Sequence, residues 1–493
     1  MLPPRWLLAS AATLAVLAPV GWLWQQSLVS STYSVTDMGY VDRGTVHGEE
    51  TAHGLDHDHG EGTAQVSVAE LVADPDVVAD VTAELVVRQE RIHLASGRSI
   101  DDGFTVNGSS PGPALTATVG DMVEVTVVND GIDEGAAVHW HGVDVPNGAD
   151  GVAGVTQDAI LPGDSHVYRF EVDRAGTFWY HAHQASHPQV IGGLLGPLVV
   201  LPAEGIAQDH DAIAVAHTYR GTRTLNGEED VTRLLAEPGE TVRVRVVNTD
   251  SGTLETWADT DVRVLAVDGS ELVGPTPVRG HLSVPAAGRA DLELTVPASG
   301  ATRLQVGGST ALVVGPADAP EPEAMPRPDD GIDLLDYGTP AEVSFDPEQP
   351  DRDFDYSIGR RLGFVDGRPG VWWSINGHLW PDIPMFMVRR GDVVRVRVEN
   401  HSGEVHPMHL HGHRALLLSR EGRRASGSPV WVDSFDVESG ETVEVAFVAD
   451  NPGIWMDHCH NLEHAADGLV AHLMYEGVTT PYLVGGKAHN HPE

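Results

Sequence analysis

The chain has 493 residues, with 30 basic against 72 acidic side chains, a formal net charge of -42 and a single cysteine. Such a charge repels nucleic acid and anionic membrane faces and gathers cations from solution, although a plain solvated shell has the same composition. One thiol excludes a disulfide within the chain and any Cys-rich zinc module.

The first predicted element is the uncharged apolar run from Trp6 to Trp24, preceded by Arg5. It is long enough to span a thinned bilayer or to form the apolar core of a signal peptide. Residues 1–29 are therefore expected to direct export, with the body outside the cytoplasm in a bacterial cell envelope. No twin Arg precedes the run, and Pro19 is badly placed for cleavage after Ala18, which favours a membrane anchor at residues 6–24 over a secreted product. A buried N-terminal helix is the plainer alternative.

Residues 30–82 are polar and rich in Gly, with His47, His53, His57 and His59 among Glu49, Glu50, Asp56 and Asp58, which predicts a flexible linker. These His, like His489 and His491 in the tail at 483–493, could capture metal loosely; a solvated spacer is the simpler reading.

From residue 83 onward short Val-rich runs alternate with Gly, Pro, Asn and Asp, the pattern of β-sandwiches. The stretch from Val106-Asn-Gly through Gly120-Asp121 to Val127-Val128-Asn129 returns as Glu237-Pro-Gly-Glu240 to Val246-Val247-Asn248. It returns again as Ile375-Asn-Gly through Gly391-Asp392 to Val398-Glu399-Asn400. A second marker follows each: Gly176 to His181, Gly300 to Gln305 and Gly453 to His458. Three consecutive sandwiches at 83–202, 203–315 and 351–482 are predicted, with an acidic connector at 316–350. The outer two carry His at the marked position and the middle one carries Gln305, so the middle domain is expected to be a spacer without ligands.

His-X-His pairs stand at His139/His141, His181/His183, His409/His411 and His458/His460, and seven occur in all. Random placement of the His gives about 1.4, so the spacing is selected. In a strand, His458 and His460 face one way and Cys459 the other. A thiolate with an imidazole five residues on suits copper, and imidazoles on the opposite face suit a second metal cluster, with Cys459 joining the two. A lone buried Cys can also be merely a small apolar residue.

Together, His139-Trp-His-Gly142, His181-Ala-His183, His406-Pro-Met-His-Leu-His-Gly-His413 and His458-Cys-His-Asn-Leu-Glu-His464 resemble, in order, the motifs of the multicopper oxidases. The resemblance covers about residues 83–480 and implies an all-β chain of three cupredoxin-like Greek-key domains. It implies four coppers and reduction of dioxygen to water. Carried over by position, His406, Cys459 and His464 match the type 1 ligands and His139 with His409 the type 2 pair. His141, His181, His183, His411, His458 and His460 match the type 3 set. Electrons would leave a donor one at a time at the type 1 site and pass through Cys459. The axial position falls on Leu469, which cannot coordinate, so a three-coordinate type 1 site of raised potential is expected.

Asp150 matches a carboxylate beside the type 2 copper and is the expected proton relay. Bacterial relatives often carry Glu directly after the last type 1 His; here it is Ala465, and Asp457 or Glu463 could substitute. His413 matches a residue that is usually not a ligand, and His187, His378, His401 and His472 lie off the ligand register. Asp433 and Asp450 match loop positions that fix turns or hydrogen-bond the ligands.

The sequence has no Met-rich insertion for Cu(I), and Met385 with Met387 is the only close Met pair outside the motifs. A phenol or aromatic amine therefore leads as donor, with Cu(I) or Fe(II) as the alternative, suited by export and acidic charge. A copper-sequestering scaffold is the reading from another class, weakened because every matched ligand position is occupied.

Overall fold

The computed structural model describes residues 5–45 and 65–493; the four His expected to lie in the linker fall outside the described residues. Strands form where β-branched residues alternate with polar ones. In Met122–Asn129, Val123, Val125 and Val127 are buried while Glu124, Thr126 and Val128 are half-exposed.

The first sandwich packs Ser99–Val106, Val81–His93, Met122–Asn129 and Ser165–Glu171 against a sheet ordered Leu115–Thr118, Leu195–Leu201, Gly176–Ala182 and Val138–His141. The second pairs a six-stranded with a five-stranded sheet across residues 210–315. In the third, one sheet includes Pro384–Val388, Val470–Tyr475, Ile454–Cys459, His406–Leu410 and Ser434–Val437. Its other sheet is built around Arg352–Val365, Val393–Asn400 and Thr442–Val448.

The sequence repeats become a repeated register. Val81–Val87 runs parallel to Val123–Asn129, His210–Ala216 to Val242–Asn248, and Arg352–Ile358 to Val394–Asn400. Each second strand ends on a buried Asn that stitches the adjoining loops. The Nδ2 of Asn129 donates to Ile132 O and Ile160 O, that of Asn248 to Val284 O and Pro285 O, and that of Asn400 to Glu404 O and Val437 O. An amide donor answers loop carbonyls that would otherwise be buried without partners.

The structure differs from the expected free linker at both of its described ends. Thr32–Tyr33 pairs with Val484–Gly485, Tyr40–Asp42 extends the third sandwich beside Pro384–Val388, and Val66–Ser67 pairs with Val478–Thr479. Low average hydropathy hid a few anchors: Val35 and Val68 are buried in the core, enough to fasten short edge strands. The first sandwich opens at Val81, two residues before the expected boundary. The acidic connector is fastened too, by buried Leu335 and by Tyr337, whose hydroxyl donates to Thr276 O at 2.7 Å.

Arg5–Gln26 is one helix containing Pro19, and its end is stapled to the third sandwich, Trp24 Nε1 donating to Gly367 O at 3.1 Å. No helix among the described residues is long and apolar enough to cross a membrane.

Candidate metal centre

Two adjacent strands of the first sandwich place His139 opposite His181 and Trp179 opposite His141. Two strands of the third place His409 opposite His458 and Met408 opposite Cys459. Each strand turns alternate residues to one face, so both pairs of strands present imidazoles to the seam between the sandwiches. Loops lock that seam: Asn147 Nδ2 donates to Ile454 O, Ile454 N donates to Asn147 Oδ1, both at 3.0 Å, and Asn451 Nδ2 donates to Val145 O. A Cβ on Gly453 would meet Asn147 Cγ at 2.5 Å, which explains the glycine of the third repeat marker.

Eight imidazoles converge there, on His139, His141, His181, His183, His409, His411, His458 and His460, none more than 2% exposed. Groups able to hold a metal form at His139/His409/His411, at His139/His141/His181 and at His183/His411/His458. His460 joins none of these groups, yet its ring centroid is 5.1 Å from that of His141 and 5.2 Å from that of His181.

The hydrogen bonds fix which nitrogen faces inward. His139 Nδ1 donates to Asp150 O at 2.9 Å and His409 Nδ1 to Asp433 O at 2.8 Å, while both Nε2 atoms are buried with no partner. Both nitrogens of His183 and Nε2 of His460 are also orphaned. His411 Nδ1 donates to Asp150 Oδ2 at 3.1 Å, leaving its Nε2 lone pair 3.2 Å from Nε2 of His458. Unpaired lone pairs facing one another in a buried pocket call for cations between them. Burial first, and neighbouring imidazoles second, hold His181, His183, His409, His411 and His460 well below the usual value for His. The same causes push His458 down to about 3, so these six rings are neutral and ready to ligate.

On the other face of the Ile454–Cys459 strand lies a second set. Cys459 Sγ is 3.6 Å from His406 Nδ1 and 3.7 Å from His464 Nδ1, and those nitrogens are 3.2 Å apart. A point equidistant from the three atoms lies about 2 Å from each, the length of a metal–nitrogen bond. Ser402 Oγ at 2.7 Å from His406 Nε2, and Asn461 Nδ2 at 3.1 Å from His464 Nε2, occupy the outer nitrogens. This His2Cys set suits copper. Burial raises the Cys459 thiol above its usual range, so metal binding must displace its proton. Leu469 is fully buried beside it, its carbonyl accepting from Cys459 N at 3.2 Å.

Asp150 is buried between the two halves, with Oδ1 3.1 Å from His139 Nδ1 and Oδ2 3.1 Å from His411 Nδ1. His413 stays outside the clusters, bonded to Tyr475 Oη at 2.7 Å. His187, His378, His401 and His472 are outside them too. Glu463 is exposed on its short helix, so it offers no carboxyl to the pocket. Asp457, pushed up to about 7 by burial, belongs to none of the metal-capable groups.

The middle sandwich is more than a spacer. Gln305 closes its own turn by donating to Thr310 O and Gly307 O, and no residue of 203–315 enters a metal-capable group among the described residues. Yet Arg289 reaches out of it, fully buried, and grips Asp433 through two bonds of 2.6 Å. Asp433 in turn accepts from His409 and sits 3.1 Å from His141 Nε2. Asp268 completes the group, accepting from the backbone of Asp433 and Ser434. Burial and then the charge of Asp433 push Asp268 up to about 7; burial opposes the charge of Arg289, but Asp433 and Asp268 outweigh it. A Cβ on Gly142 would meet Arg289 Nη2 at 2.2 Å, so this packing accounts for the glycine in His-Trp-His-Gly. Repeat comparison missed Arg289 because the repeat markers carry no signal for a side chain that crosses between domains.

Profiles described as multicopper oxidase match residues 88–205 and 349–477. The chain is 29% identical over 481 residues to the multicopper oxidase MmcO of Mycobacterium tuberculosis, covering 84% of this chain and 90% of that protein. It is 26% identical over 464 residues to the iron transport multicopper oxidase FET3 of Kluyveromyces lactis, covering 75% and 72%. The crystal structure of a multicopper oxidase from Pseudomonas thermotolerans superposes with a TM-score of 0.67 at 27% identity, covering 80% of this chain and 99% of that one. With its cupredoxin-like sandwiches and its copper-suited clusters, this chain belongs to the multicopper oxidase family and is an oxidoreductase that uses dioxygen.

Proposed function

We propose that the chain takes single electrons from a phenol or aromatic amine at the His406–Cys459–His464 set and reduces dioxygen to water in the eight-imidazole pocket. The carrying observation is covalent: Cys459 faces one set while its neighbours His458 and His460 face the other. Bound copper would supply the one-electron chemistry and the dioxygen reduction, with one ion on His406, Cys459 and His464, one on His139 and His409, and two on His141, His181, His183, His411, His458 and His460. The protein's part is to hold these imidazoles aimed, and to exclude water by burial. Asp150, within 3.1 Å of both His139 and His411, is a buried carboxylate able to hold a proton beside the pocket.

The donor end is supported by exposure. The His464 side chain is 11% exposed, and its Nε2 lies 3.4 Å from Glu404 Oε2. The Trp373 ring lies 4.5 Å from that of His464 and 4.8 Å from that of His406, with Arg360 stacked over Trp373. A carboxylate at the edge where electrons leave a phenol can accept the phenolic proton lost on oxidation. Met385 and Met387 fit this reading, since Met385 is buried in the sandwich core and Met387 packs against it within Pro384–Val388. Oxidation of Fe(II) or Cu(I) is the second reading, favoured by the same Glu404 carboxylate and the net charge of -42. Export to the cell envelope, membrane-anchored or secreted, completes the proposal, supported by the apolar run after Arg5.

Oxygen uptake by the copper-loaded protein, compared across a phenol, Fe(II) and Cu(I), tests the proposal. Faster uptake with the phenol, slowed by Glu404→Gln, is expected. Uptake with the metal ions alone moves the conclusion to the second reading, and no uptake with any donor overturns both.

A further inference from the structure

The tail at 483–493 is laced to the first sandwich directly after the His181-Ala-His183 motif. Ala185 N donates to His491 O at 2.6 Å, His491 N to Gln184 Oε1 at 2.9 Å, and Gln184 Nε2 to His489 O at 2.8 Å. Asn490, only 1% exposed, adds three bonds: its Nδ2 donates to Asp158 Oδ1 and Leu483 O, and its Oδ1 accepts from Ala159 N. The tail His therefore join this lacing through their backbones.

This lacing turns Glu493 inward. Its side chain is 10% exposed; Oε2 accepts from Ser186 Oγ at 2.8 Å, and Oε1 lies 3.5 Å from His458 Nδ1 with no hydrogen-bond partner of its own. Ser186 opens a short helix packed on the helix Leu462–Ala466, where Ala465 is buried and brings no carboxyl. A carboxyl oxygen buried without a partner is costly, and the Nδ1–H of His458, which donates to Cys459 O at 3.3 Å, also faces it and can be shared between the two oxygens.

We propose that the tail is a strap over the copper pocket and that Glu493 is a positioning residue for His458, its carboxyl oxygen sharing Nδ1–H with Cys459 O so that Nε2 stays aimed at His411 and His183. The inference rests on the assignment of His458 as a copper ligand. It gives this chain a support for the pocket that arrives from far along the sequence, in a segment outside the ligand motifs. The arrangement is that of a ligand His whose second nitrogen donates to a carboxylate, which fixes both tautomer and ring orientation.

The test is loss of copper from the loaded full chain to a chelator, followed by elemental analysis and by the fraction of copper visible in electron paramagnetic resonance. Glu493→Ala is expected to release pocket copper about 10-fold to 100-fold faster and to raise the visible fraction, with the thiolate band of the Cys459 site unchanged. Glu493→Gln, whose amide oxygen accepts the same N–H, is expected to restore the parent rate. Asn490→Ala, which loosens the strap away from the pocket, is expected to speed release while leaving Glu493 intact. Parent-like release from Glu493→Ala overturns the proposal, as does a Gln variant as fast as the Ala variant. A parent chain that binds no copper at the imidazole pocket would instead overturn the functional reading beneath it.

Discussion

Asp150 shows how one residue can serve two ends of a pocket. Its main-chain oxygen fixes the tautomer of His139, and its carboxylate reaches His411 across the seam. Asp150→Asn keeps the shape and removes the ability to hold a proton, so kcat should fall by about 10²-fold to 10⁴-fold with copper content unchanged, as steady-state oxygen uptake would record. Leu469 is the counterpart on the thiolate face: buried, apolar and beside Cys459. Leu469→Met puts a thioether within the reach that Leu cannot use, stabilising the oxidised ion and lowering the potential. A redox titration of the visible thiolate band should show a drop on the order of 59 mV, one tenfold change for a one-electron couple. The buried imidazoles set the acid limit. In the metal-free fold His406 and His458 are held down to about 3, whereas an unfolded His takes up its proton near 6.5. The unfolded chain then binds more protons between those values, so stability rises with pH up to about 6.5 and is lost progressively below it. Thermal melts of the copper-free protein from pH 7 to pH 4 should show Tm falling steadily.

At the scale of elements, the strand Ile454–Cys459 is the hinge of the chemistry, because alternation assigns its neighbours to opposite faces. What holds the facing strands is less local. Arg289, projecting from Arg289–Thr295 of the middle sandwich, neutralises Asp433 at the foot of the pocket and donates its Nε to Thr177 O in the strand that carries His181. One guanidinium thus ties all three sandwiches together. Arg289→Met fills similar volume but leaves Asp433 and Asp268 buried without their cation, a loss of about 3–5 kcal/mol. Denaturant unfolding should show it, together with weakened copper retention at His409 and His141.

Over the whole molecule, the pocket exists only where the first and third sandwiches meet, and three separate devices hold them: the Asn147 and Asn451 loop bonds, the Arg289 clamp and the tail strap. Low average hydropathy made residues 30–82 read as a flexible linker, and the structure shows their described parts pinned by a few buried side chains and backbone pairs. Three sandwiches, their repeat and the His and Cys that cluster were legible in the sequence, because strand alternation, turn glycines and His-X-His spacing are local and leave a periodic mark. Glycines 142 and 453 stood in those motifs without a reason until the packing supplied one. Arg289, Asp268 and Glu493 carry no such mark. Their roles come from contacts between residues more than a hundred positions apart, as with Arg289 and Asp433 or Glu493 and Ser186, and only the folded chain brings those charges within reach of one another.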